Sequence, residues 1–187
     1  LHHLALAGLR HYDCKKTLPH IRSNLRSPVS KVKNSAAELL QNVRDPVLYG
    51  DFLSGVLNTE DLTLIKYFLF YIKNSFNDIK DFSIFLPVFK SSNYVLMEHL
   101  LELLIQLKDR KLLPFLKLAV GTGERILIRL AIEGFRQIPD PSSVELLVEL
   151  VNGKEGAAAE TAITTIMQQF SSAKYLPMFY LIVQKCQ

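Results

Sequence analysis

Val29-Ser30-Lys31-Val32-Lys33-Asn34-Ser35-Ala36-Ala37-Glu38-Leu39-Leu40-Gln41-Asn42-Val43-Arg44-Asp45-Pro46 spells out one amphipathic helix and the turn that ends it. Val29, Val32, Ala36, Leu40 and Val43 recur at spacings of three and four, the period of a helix with one buried stripe. The pattern stops at Asp45-Pro46. Asp is a good N-cap and Pro suits the first helical position, so this dipeptide closes one helix and opens the next.

The same register runs outward to both ends. Asp13, Asp45, Asn77, Asp109, Asp140 and Ser171 lie 32, 32, 32, 31 and 31 residues apart. Nine residues before each stands Leu4, Ala36, Phe68, Leu100, Ala131 or Ala162, and the next position holds Ala5, Ala37, Leu69, Leu101, Ile132 or Ile163. Seven or eight residues after the marked residue stand Ile21, Leu53, Phe85, Leu116, Leu147 and Phe179, and eleven or twelve after it Leu25, Leu57, Phe89, Val120, Val151 and Val183. A period of this length, apolar in four registers, predicts an all-α array of six helix pairs, each burying its stripe against its neighbours. The repeats span about 1–27, 28–59, 60–93, 94–123, 124–155 and 156–187, in a single repeat domain 1–187. Ser27-Pro28, Asn58, Ser91-Ser92, Gly121-Thr122-Gly123 and Asn152-Gly153 supply breaks between them. Ala36, Ala37, Ala131, Gly134 and Ala162, small among bulky neighbours, are expected at close helix contacts.

Val32 to Leu40, followed by Arg44-Asp45-Pro46, resembles the HEAT-repeat family, in the variety first noted in phycobilisome lyases. The features carrying the likeness are an Ala-rich helix, a Gly-Asp-Pro-like turn, and a helix containing Leu-Pro. The last stands as Leu18-Pro19, Leu113-Pro114 and Leu176-Pro177. The likeness covers the whole chain and implies a right-handed α-solenoid. The third repeat departs most: Asn77 replaces the turn Asp, and Leu86-Pro87 comes four residues late.

At 187 residues, 49% hydrophobic and 21% charged, the chain has enough apolar material for a continuous core. No apolar run approaches the roughly 20 residues of a membrane span, and the start does not read as a signal peptide. Cys14 and Cys186 belong to the first and last repeats of an elongated array, so no disulfide is expected and the reading is cytoplasmic. The first helix is short at Leu1, and apolar residues crowd both ends: Leu1, Leu4, Ala5 and Gly8, then Tyr180, Leu181, Ile182 and Val183. Such uncapped ends imply further elements in a longer parent, or self-association through them.

Catalytic constellations are thin, and neither a cofactor nor a metal is expected. His3 and His11 are eight apart on one helical face, but a zinc site wants three or four ligands. Gly121-Thr122-Gly123-Glu124 lacks the Lys of a phosphate-binding loop. Glu98 and Glu102 share a face as any solvated helical stripe would.

The informative polar pattern lies on the first helix of each pair. It runs Asn34, Glu38, Asn42; Lys66, Phe70, Asn74; Glu98, Glu102, Gln106; Arg129, Glu133, Gln137; and Glu160, Thr164, Gln168. The resemblance implies that these helices line a concave wall, giving a groove of mixed charge and amide character. The alternative is an ordinary solvated face. Phe70 is either core or an exposed anchor, within a third repeat that also holds Tyr67, Phe68, Tyr71, Phe76, Phe82, Phe85 and Phe89. Residues 1–44 carry eight Lys/Arg against two Asp/Glu, and the remainder nets −2, giving +4 for the chain. Lys15, Arg22 and Arg26 form a ridge on the second helix of the first repeat, with Lys31 and Lys33 following. The ridge is either a solvated basic end or a surface for an acidic partner or nucleic acid.

Three functions follow from this reading. The leading one is a non-catalytic scaffold whose groove holds a protein partner. A nucleic-acid-binding domain resembling DNA-repair glycosylases is the second, disfavoured by the mixed charge of the later repeats and the lack of Trp. A chromophore lyase, the third, is suggested only by the family's name.

Overall fold

The structure, a computed structural model, describes residues 14–41, 43, 48–79, 81–152, 156–169, 177 and 180. Asp13, Asp45-Pro46, Asn42, Ser171, Leu176, Phe179, Cys186, His3, His11 and the apolar clusters 1–8 and 181–183 lie outside them. The fold is all-α, with no strand among the described residues. Its helices are α1 (Cys14–Asn24), α2 (Ser30–Leu40), α3 (Leu48–Val56), α4 (Leu62–Ser75), α5 (Leu86–Phe89), α6 (Tyr94–Ile105), α7 (Leu113–Gly121), α8 (Arg125–Gln137), α9 (Val144–Asn152) and α10 (Gly156–Gln169). The even-numbered helices occupy the first position of repeats two to six, and the odd-numbered ones the second position of repeats one to five.

Short 3-10 turns precede three of the second helices: Phe82–Phe85, Arg110–Leu112 and Pro141–Ser143. An aspartate opens each by accepting from the backbone N–H two residues on. Asp81 takes that of Ser83 at 2.8 Å, Asp109 that of Lys111 at 2.9 Å, and Asp140 that of Ser142 at 2.9 Å. In the third repeat the capping role thus falls to Asp81, four residues after Asn77, which sits in a 3-10 turn of its own. The late Leu86-Pro87 follows from that shift, and its Pro stands in the first turn of α5, where a missing N–H costs nothing. Between α7 and α8 the chain turns through Gly123, whose φ of 76° suits a residue without Cβ.

The chain divides into two compact units, Leu1–His99 and Leu100–Gln187. In the first, α2 packs on α1 and α4, α3 packs on α1, and α4 packs on α3. Its core is aromatic: Phe68 meets Tyr49 at 5.8 Å and Phe52 at 5.6 Å between ring centroids, and Phe85 meets Tyr49 edge-on at 5.8 Å. The Tyr49 hydroxyl donates to the Ile84 carbonyl at 2.6 Å, and burial, reinforced by Tyr71, pushes its phenol well above the usual range. In the second unit α8 packs on α7 and α10, and α10 on α9.

The small residues lie where close approach demands them. Ala36, Ala37, Ala131 and Ala162 are fully buried. A Cβ on Gly134 would stand 2.6 Å from a methyl of Leu116 and 3.3 Å from Ile105, so only glycine lets α8 close on that pair without displacing it.

Candidate functional site

The first helices carry two kinds of polar side chain, and the structure separates them. One kind ties a helix to an element of an earlier repeat. Asp61 caps α4 by accepting from Thr63 N–H at 2.9 Å and Leu64 N–H at 3.3 Å, while its second oxygen accepts from the Asn34 amide at 3.0 Å. The Asn34 bond, with the two backbone N–H groups and nearby Lys33, holds its carboxyl below the usual carboxylate range. Asn93, 32 residues after Asp61, also caps a helix while reaching back to an earlier one. Its Oδ1 caps α6 through Leu96 N–H at 3.0 Å, and its Nδ2 donates to the carbonyls of Val56, Leu57 and Thr59 at 3.3, 3.2 and 2.8 Å. At the other end of these helices, Asn74 donates to the Gln41 carbonyl at 3.3 Å, and Gln169 donates to the Arg136 carbonyl. Both acceptors stand four residues before their marked loop position, so an amide caps the C-terminus of the preceding first helix in each unit. These amides are structural ties rather than groove lining.

The basic ridge is also committed. Arg22 and Arg26 both reach Asp51 on α3, the latter at 3.0 Å, and Asp51 is largely covered by them. Arg22 therefore joins α1 to α3, while Arg26, expected on the same helix, reaches α3 from the turn that follows α1. Lys15 is the second residue of α1, and its side chain lies outside the described residues.

The other kind faces solvent. On α4, Leu62 is 50% and Phe70 46% exposed, and Lys66 and Lys73 are exposed beside them. At 100° per residue these four fall within an arc of about 80°. Phe70 is the aromatic of the third repeat that stays outside the core: Phe68, Tyr71, Phe82, Phe85 and Phe89 are buried, with Tyr67 and Phe76 half-buried. Among the described residues neither Lys66 nor Lys73 has an acidic partner. Asn93 fixes the start of α6 beside the loop that leads into α4, and Tyr94, the first residue of α6, is 42% exposed.

Of the remaining expected residues, Glu98 on α6 is half-buried and Glu102 exposed. In the second unit Arg129 is exposed on α8, while Glu133 accepts from Arg136 and Gln137, each at 2.8 Å. The Arg136 bond holds its carboxyl below the usual range. The structure thus brings Lys66 and Phe70 onto one helix face and pairs Arg22 and Arg26 with Asp51 and Glu133 with Arg136, with Arg26 still exposed. Leu62 and Lys73 join that face without having been singled out from sequence. Leu62 stands fifteen residues before its marked loop residue, a register it shares with the exposed Tyr94.

Among the described residues no group of three His, Cys, Asp or Glu is arranged to hold a metal ion, and no helix is long and apolar enough to cross a membrane. Compared with known proteins, the chain matches no family model, no curated protein and no solved structure.

Proposed function

We propose that this chain is a non-catalytic, cytoplasmic interaction module: a right-handed α-solenoid of six HEAT-like helix pairs that recruits a protein through the solvent face of its first helices. The observation that carries this reading is the α4 face, where Leu62 and Phe70 remain half-exposed although the helix has a complete aromatic core behind it. Large apolar side chains on an otherwise polar helix face are the usual anchors of protein interfaces. The packing of α2 on α4 and of α8 on α10, first helix on first helix within each unit, supports the solenoid.

Nucleic-acid binding is the weaker reading. The α4 face offers two lysines, against the roughly 6–10 phosphate contacts of a stable duplex complex. The test compares wild type with Phe70→Asp. A protein that co-purifies with the former from its native cells and is lost from the latter supports the module. Binding to generic duplex DNA that weakens steeply between low and high salt, with no Phe70-dependent protein, overturns it.

A further inference from the structure

Resting on that reading, we infer that the partner segment held by the α4 face is acidic, with two apolar side chains about 12 Å apart, the rise over the eight residues from Leu62 to Phe70.

The chemistry of the face selects this partner. Leu62 and Phe70 ask for apolar contact, and Lys66 lies between them with Lys73 beyond. Residues 62–75 contain no Asp or Glu, so nothing on α4 neutralises the two lysines. Asp61, the acid at the helix start, is already satisfied by two backbone N–H groups and Asn34. A partner carrying Asp or Glu between its apolar residues pairs with both lysines while burying both anchors. A basic or uncharged segment leaves those ammonium groups desolvated without partners. A phosphate backbone would meet the lysines and leave Leu62 and Phe70 in water.

One part of this pattern recurs in the second unit: Lys66 and Arg129 both stand eleven residues before their marked loop residue. The positions of Leu62 and Phe70 are taken there by Arg125 and Glu133, so the paired apolar anchors belong to α4.

The experiment is selection of a random 16-residue peptide display library on the whole protein, followed by anisotropy measurements on enriched peptides. Enriched sequences should show an excess of Asp and Glu around two apolar residues. Their affinity should fall about tenfold or more in Phe70→Ala, and comparably in Lys66→Glu/Lys73→Glu, with weakening as salt rises. Lys90→Glu, an exposed charge outside this face, should leave binding unchanged. Because both lysines are exposed, the reversal keeps the test valid if Phe70→Ala perturbs folding. Enrichment of basic or uncharged peptides that still need Phe70 overturns the acidic partner and leaves the protein-binding reading standing. Enrichment independent of Phe70, Lys66 and Lys73 overturns this inference too. Duplex DNA binding lost in the lysine reversal overturns both.

Discussion

Replacing Asn93 tests how the repeats are joined, because one side chain serves two helices at once. Its Oδ1 caps α6, and its amide donates to three carbonyls at and just beyond the C-terminal end of α3. Asn93→Ala removes an N-cap worth about 1 kcal/mol and strands partly buried carbonyls at a further cost of about 1–2 kcal/mol. The sum of about 2–3 kcal/mol corresponds to a fall of roughly 5–10 °C in Tm for a chain of this size. Asn93→Ser separates the two parts: it keeps the cap and loses the donor, so it should cost about half as much. Asn93→Asp keeps the cap but turns a carboxylate toward three carbonyl oxygens, which raises its folded-state pKa above the unfolded value. It should match the wild type best in acid and lose stability as pH rises through about 4 and above. Thermal and urea denaturation of the four proteins reads these differences. If Asn93→Ala shifts stability by less than about 0.5 kcal/mol, the amide tie is not what holds α6 to α3, and the same reasoning fails for Asp61.

The remaining expectations concern charge and packing. Asp61, Asp81, Asp140 and Glu133 all have depressed carboxyl pKa values, so their stabilisation is present above the unfolded values and is lost as pH falls through the folded ones. Urea midpoints should therefore drop below about pH 4, less steeply in Asp61→Asn; an unchanged slope would deny Asp61 its part. Asp51→Ala should cost about 1 kcal/mol at low salt and lose most of that effect at high salt, which denaturation at two ionic strengths measures. Ala131→Leu, at a fully buried position, should overpack α8 and cost about 1–3 kcal/mol, whereas an unchanged denaturation midpoint would mean that the helix phase is misread. Ser75→Ala should be neutral or stabilising by about 1 kcal/mol, because the buried Ser75 hydroxyl lacks a hydrogen-bond partner among the described residues.

Helices were legible in this sequence because their apolar spacing repeats, and a repeat amplifies a signal that one helix gives weakly. Ala36, Phe68, Leu100, Ala131 and Ala162 share one register and are all buried. The third repeat read poorly because Asp81 rather than Asn77 opens its second helix, and an Asp four residues late looks like any surface Asp. The polar stripe was legible as a stripe, but not in its division of labour. An amide advertises donors without saying which group it will meet, so Asn34 and Asn74 could not be told from groove residues. Arg22 and Arg26 read as a free ridge because Asp51, which occupies both, stands 29 and 25 residues further on. Phe70 was ambiguous for a different reason: an aromatic at the edge of an apolar arc is buried or exposed according to helix phase, which a few degrees decide.

Site-specific photo-crosslinking tests the central claim most directly. A benzophenone amino acid is placed at position 70 on α4 and, as control, at position 149, an exposed glutamate on α9. After irradiation in the native cells, a discrete protein adduct should form from position 70, be absent from position 149, and disappear with Lys66→Glu/Lys73→Glu. Adducts confined to nucleic acid, or identical products from both positions, would contradict it.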